Sequence, residues 1–345
     1  MRNILIAAAA FALTACSPPV GSVPAVLETP PVSQADDAAD DPAIWVANDD
    51  PARSVVIATQ KKGGLYIYDL DGAIVQDLPG GEPNNVDIRE GFAWADGAAP
   101  IVGASDRSDN TIVLWRFDPE TRQLDPAPRA RIATGFVEVY GFCLGRIGGD
   151  YIAIVTDRDS GDVGVWRIVQ GGDGALAGER IGAYSLGSIA EGCVVDDDNG
   201  AYYVAQELEG IWRVDADDAA GAGRRLIDRV GRGGNLVADV EGLALWRGED
   251  GGGYLIASVQ GASRYAVYDR GGDNAYRGAF RIGPSADGRV DGVQGTDGID
   301  VVSTPLPGYP RGLFVAQDDE NTDPPELQNF KYVSWAEVET LLGLR

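Results

Sequence analysis

Glu191-Gly192-Cys193-Val194-Val195, then Asp197-Asp198-Asn199-Gly200, then Ala201-Tyr202-Tyr203-Val204-Ala205-Gln206-Glu207, then Gly210-Ile211-Trp212-Arg213-Val214 reads as strand, turn, strand, strand. Each apolar run is short, rich in β-branched and aromatic residues, and bounded by Gly, Asp or Asn. The pattern returns at Glu241-Gly242-Leu243-Ala244-Leu245, followed by apolar runs at 254–260 and 264–268. Working outward, six copies open at Asp40-Asp41, Asn84-Asn85, Tyr140-Gly141, Glu191-Gly192, Glu241-Gly242 and Asp297-Gly298. The steps between them are about 44 to 56 residues, the range of propellers, solenoids and arrays. Three such strands and a more variable fourth make one blade. The reading is all-β: a six-bladed β-propeller.

The repeat also fixes where chemistry lies. Strands one and two form an antiparallel hairpin, so the start of the first sits beside the end of the second. The opening residues mark the start of strand one. The ends of strand two carry Lys61-Lys62, Arg107, Arg158, Glu207 and Gln260. Both sets crowd one face around the central channel. A single blade with such residues would be an ordinary solvated loop; six registered copies point to a site. Basic residues close strand two in three consecutive blades, and Glu207 and Gln260 close it in the next two. The channel mouth is expected to divide into a cationic arc and an anionic arc.

Composition narrows the chemistry. The chain has 345 residues, 28 basic and 53 acidic, for a net charge of -25. That balance disfavours nucleic acid and anionic membrane surfaces as direct partners. Histidine is absent. There is thus no Ser-His-Asp triad, no Cys-His pair, no phosphohistidine and no His-based zinc or iron site. Catalysis must use carboxylates, Lys, Arg, Tyr or an oxygen-bound metal.

Met1-Arg2-Asn3 precedes an apolar run at 4–15 and then Cys16, the form of an export signal. Leu13-Thr14-Ala15-Cys16 resembles a bacterial lipoprotein box. The expected division is a signal peptide at 1–15, a lipoprotein tether at 16–33 and the propeller at 34–345. An exported protein is implied, either lipid-anchored in the periplasm or outer membrane or secreted, and monomeric. Cys143 and Cys193 lie near the start of strand one in neighbouring copies. Cys143 falls one residue later in its motif, which should turn it to the other strand face. In an oxidising compartment the two could pair, but buried free thiols are the expected state.

The anionic arc holds Glu191, Glu207, Asp239, Glu241, Asp297 and Asp300, with Asp40 and Asp41 closing the ring. So many carboxylates cannot all stay ionised side by side without counter-charge. Hard cations remedy this, and calcium best tolerates six to eight mixed oxygen ligands. Tyr140 and Gln260 supply neutral oxygens. A single structural ion would also fit this pattern. No EF-hand loop is present.

At this point the residues resemble a family. Residues 37–45, Asn84-Asn85-Val86-Asp87-Ile88-Arg89, Val139-Tyr140-Gly141-Phe142, Asp239-Val240-Glu241-Gly242-Leu243, Thr296-Asp297-Gly298-Ile299-Asp300-Val301 and residues 312–318 together look like the β-propeller phytases. The resemblance runs from about Asp36 to the C-terminus. It implies a propeller that binds several calcium ions and hydrolyses phosphate monoesters of phytate, myo-inositol hexakisphosphate, taken as its calcium complex. By this resemblance the central calcium ligands are Asp40, Tyr140, Glu191, Glu207, Asp239, Glu241, Gln260 and Asp297. An outlying calcium falls on Asp41 and the backbone at Pro42 and Val86. Lys61, Lys62, Arg107 and Arg158 grip phosphate, with Lys61, Arg107, Arg158, Glu191 and Tyr140 in catalytic positions.

The family often has Lys where this chain has Arg158, which keeps the charge but grips as a planar fork. Gln206 replaces an acid expected in some relatives. The implied reaction is attack on phosphorus by water activated by a metal ion, with the basic residues stabilising the equatorial oxygens. Two alternatives stand beside it. A six-bladed lactonase or esterase would also place calcium and carboxylates at the channel, but has no need of a basic arc drawn from three blades. A non-catalytic calcium-binding propeller would serve interactions only. Phosphate release from phytate separates the three.

Overall fold

The computed structural model describes residues 20–345, and the export signal and Cys16 lie outside the described residues. Six sheets, antiparallel except for one parallel edge pairing, follow one another in chain order. Blade one is Ala39–Trp45, Val55–Gln60, Gly64–Asp69 and Ile74–Pro79. Blade two opens with Pro83–Trp94, Gly97–Asp106 and Thr111–Asp118, and both Gln123–Leu124 and Ala130–Ala133 pair with its third strand. Blades three and four begin at Val139–Ile147 and Ala190–Asp196, and blade five at Val240–Arg247. Blade six begins at Ile299–Val301 and continues through Leu313–Asp318 and Asn329–Ser334. The first strands pack each against the next, and that of blade six returns to blade one, so the ring is closed. This is the six-bladed propeller that the repeat predicts.

The apolar residues form six clusters, each shared by two neighbouring blades. Between blades one and two, for example, the Trp45 and Phe117 rings lie 4.8 Å apart. Strand alternation explains this: each strand places side chains on both blade faces, and both faces are covered.

The opening glycines have a packing reason. A Cβ on Gly141 would lie 1.8 Å from the Glu191 carbonyl oxygen of the next blade, and one on Gly192 would lie 2.0 Å from that of Glu241. Only glycine admits so close an approach of the next backbone. A β-bulge falls at the opening motif in five blades: 39/42, 83/86, 139/142, 190/193 and 240/243. The bulge breaks the strict alternation and re-aims the side chains there.

Two expectations are corrected. The stretch 21–32 is not a tether. Gly21–Pro24 pairs in parallel with Tyr276–Gly283 of blade five, and Leu27–Glu28 supplies the outer strand of blade six. Val23, Ala25 and Val32 are buried there. The prolines of this stretch suit edge strands, where a missing amide donor is tolerated. Secondly, Cys143 and Cys193 are not free thiols but a disulfide, with Cα atoms 5.7 Å apart. The one-residue offset turns them to opposite strand faces, and opposite faces of adjacent blades are the ones that meet. Beyond the last strand lies a helix, Trp335–Leu342, closed by Gly343 in the left-handed region. Its Trp335 and Val338 complete the core between blades five and six.

Candidate active site

The hairpin register brings the opening motifs beside the ends of strand two. Ala39 pairs with Gln60, Pro83 with Asp106, Val139 with Asp157, Ala190 with Gln206 and Val240 with Val259. At this mouth of the channel a cavity of about 520 Å³ is lined by Lys61, Tyr140, Arg158, Glu207, Asp239, Glu241, Gln260 and Asp297, with Asp37 and Asp319.

The acids converge below it. Oxygens of Asp40, Glu191 and Asp297 lie within 4.8 Å of one another, as do those of Glu191, Glu207 and Glu241, and all five side chains are buried. Burial pushes Glu191 up to about 8, with the charge of Asp297 adding to it and Lys61 partly offsetting it. Burial and then Asp239 push Glu207 up to about 7. Asp40 and Glu241 are raised well above the carboxylate range, first by burial, with neighbouring acids adding to it and Lys61 partly offsetting it at Asp40. Both oxygens of Asp40 and Oε2 of Glu241 lack a hydrogen-bond partner. Buried carboxylate oxygens with no donor are costly unless a cation takes the donor's place. All-oxygen donors, charge and unsatisfied atoms together fit a hard divalent ion.

Lys61 is buried within this cluster rather than free at the rim. Its Nζ lies 2.6 Å from Asp37, 3.6 Å from Asp297 and 3.9 Å from Asp40. Burial alone would lower its pKa, but Asp40 and Asp297 more than reverse this and hold it protonated. Lys62 points elsewhere: its amine donates to the Ala35 carbonyl at 2.9 Å on the surface. Tyr140 is kept a neutral phenol by burial and by the Glu191 charge.

Arg107 and Arg158 form the basic side. Arg107 donates to Asn84 Oδ1 at 3.3 Å, and Asn84 donates to Glu191 Oε1 at 2.6 Å. The Arg158 guanidinium lies 5.7 Å from the Tyr140 ring centre. Both arginines also bond to Glu138. The expected cationic arc therefore has an acid inside it. Asp41 sits lower: its Oδ2 accepts from the Val86 amide at 3.0 Å, and with Pro42 and Val86 it lines a second cavity of about 360 Å³ further along the channel. Asp300 faces that lower cavity and accepts from the Ile44 amide at 2.7 Å.

Asp37, Asn84 as a link to Glu191, Glu138 and Asp319 were not singled out as site residues from the sequence. One signal was present for Glu138. It stands two residues before Tyr140, the offset at which Asp239 precedes Glu241.

Comparison with known proteins identifies relatives of the chain. The Phytase family model matches residues 4–344. A 3-phytase from Bacillus subtilis (strain 168) is 43% identical over 331 residues, which is 93% of this chain and 85% of the relative. Among solved structures, BBS1N in complex with ARL6DN, soaked with lead, aligns at a TM-score of 0.46 and 11% identity, covering 81% of this chain and 74% of that one. The periplasmic gluconolactonase PpgL of Pseudomonas aeruginosa aligns at 0.43 and 17% identity, covering 68% and 67%. Likeness at these values supports no shared chemistry.

Proposed function

The chain belongs to the Phytase family and is a phytase, and from that premise we propose a calcium-dependent hydrolysis of phytate at the acid-lined mouth of the channel. The observation that carries this reading is the pair of buried carboxylate clusters, with unsatisfied oxygens, beside two arginines. Asp40, Tyr140, Glu191, Glu207, Asp239, Glu241, Gln260 and Asp297 would hold the ions, and Asp41 with the backbone at Pro42 and Val86 would hold an outlying one. When bound, such ions supply Lewis-acid charge that offsets the carboxylates and favours a polyanionic substrate.

The rest falls to the chain's own residues. Arg107 and Arg158 donate charge-assisted hydrogen bonds to equatorial phosphate oxygens, whose charge grows in the transition state. Lys61, held protonated among acids, adds positive charge close to them. Asn84 holds Glu191 in place, and we assign Glu191 to accept a proton from the attacking water. Tyr140, a neutral phenol, donates or accepts without changing charge. The gripping role of Lys62 is the weakest, because its amine is turned to Ala35.

Phosphate release from phytate, measured in calcium and in chelator, tests the reading. Release that is unaffected by chelator would remove calcium from the mechanism, and no release in calcium would remove this site. The lipoprotein box leads us further to propose an exported, lipid-anchored monomer. Mass spectrometry should then find an acylated Cys16, and Cys16→Ser should free the protein from membranes. An unmodified native N-terminus would leave an ordinary export signal.

A further inference from the structure

Two arginines from neighbouring blades converge on one oxyanion, and that oxyanion belongs to the protein. Glu138 Oε1 accepts from Arg107 of blade two and, at 3.3 Å, from Arg158 of blade three. The carboxylate is held on a fixed backbone. Asp157 Oδ2 accepts from the amides of Val137 at 2.8 Å and Glu138 at 3.2 Å. The Arg158 amide in turn donates to the Glu138 carbonyl at 2.9 Å. The Glu138 side chain is 29% exposed, so it can leave its partners for solvent without entering a core. The second donor of Arg107, to Asn84, ties the pair to Glu191. No other acid bonds to either guanidinium among the described residues.

We propose that the Glu138 carboxylate is an internal competitor, seated between Arg107 and Arg158 where a phosphate group is gripped and displaced when phosphate enters. Carboxylate and phosphate ask the same of a guanidinium: charge-assisted hydrogen bonds in a shared plane. One seat cannot hold both anions, because two like charges at that distance repel. Glu138 therefore weakens the grip on every phosphate that arrives, whether an ester group of the substrate or the released product. It also keeps the two arginines spread and oriented in the free protein. The inference rests on the assignment of these arginines as the phosphate grip.

The test uses inorganic phosphate as the probe, in full-length protein at fixed submillimolar calcium. Its affinity is read by calorimetry and by inhibition of phytate hydrolysis. Glu138→Gln should bind phosphate about 5- to 20-fold more tightly than the parent, with KM for phytate falling in the same direction. Glu138→Asp keeps the charge on a shorter arm and should lie between the two. Arg107→Ala should weaken phosphate binding. A purely structural Glu138 would give the opposite sign, since loosened arginines bind less well. If Arg107→Ala weakens binding while Glu138→Gln fails to tighten it, the competitor is overturned and the phosphate grip stands. If Arg107→Ala leaves phosphate binding unchanged, both fall together.

Discussion

Arg107 has no part in any apolar cluster between blades, and its bonds are to Asn84 and Glu138 at the channel mouth. Arg107→Ala should therefore leave the melting curve and its calcium response nearly intact. It should cost about 2–4 kcal/mol in barrier, or roughly 30- to 1000-fold in the rate of phosphate release. Arg158→Lys should be much milder, since the point charge survives and only the fork is lost. Equal rates for Arg107→Ala and the parent would show that phosphate is gripped elsewhere. Gly141 makes the opposite case, a residue with no chemistry and a strict packing role. A methyl there would meet the Glu191 carbonyl at 1.8 Å. Gly141→Ala should lower stability by about 2–4 kcal/mol. Gly172→Ala, where the methyl would have open space, should stay within about 0.5 kcal/mol of the parent. Denaturant titration of both variants is the measurement.

The N-terminal strands decide how the ring is finished. Leu27–Glu28 covers the outer edge of blade six, and Gly21–Pro24 adds a fifth strand to blade five. Glu28 also reaches Lys331, a fully buried lysine that pairs with Asp291 at 2.6 Å and Asp318 at 3.2 Å. A chain beginning at residue 34 would lose these contacts and the burial of Val23, Ala25 and Val32. It would bare the edge of Asn329–Ser334 to other chains. We expect its midpoint of thermal unfolding to fall, with a loss of at least about 3 kcal/mol from the apolar burial alone, and aggregation to rise. A tether would predict no change, so an unaltered melting curve for this shortened chain would show that the two strands contribute nothing.

Over the whole molecule the acids set the pH response. Glu191 and Glu207 are raised to about 8 and about 7 in the folded state, above their ordinary carboxylate values. A carboxyl raised by folding binds more protons folded than unfolded, so its contribution is fully present at low pH. That contribution is lost as pH rises through the folded value. Metal-free protein should thus lose stability between about pH 5 and pH 8. Asp300, pushed up to about 7 mainly by burial, acts in the same direction. Ions that bind only the folded form restore what is lost. Calcium should raise the midpoint at pH 7.5 by on the order of 5–10 °C and flatten the slope with pH. Scanning calorimetry across this range, in calcium and in chelator, gives both numbers. A metal-free melting temperature that climbs with pH would contradict the charge layout.

The sequence by itself determined the blade count, the mouth of the channel and most of its acids. A period of short strands is legible because each blade repeats the same alternation, and hairpin pairing then puts strand starts beside strand ends. The residues that recur at fixed offsets, Asp40, Glu191, Glu241 and Asp297, were found for that reason. Tertiary structure alone decided what lies between blades. The Cys143–Cys193 pairing depends on which faces of two sheets meet, and the period within one strand cannot show that. The bulges that aim the opening residues into the channel arise from how the ladder closes after them. The burial of Lys61 and the seat of Glu138 between two arginines each need a contact across blades, from Lys61 to Asp297 and from Glu138 to Arg107. The edge strands at 21–24 and 27–28 read as a linker because their partners lie some 250 to 300 positions away, and only closure of the ring brings those partners to them.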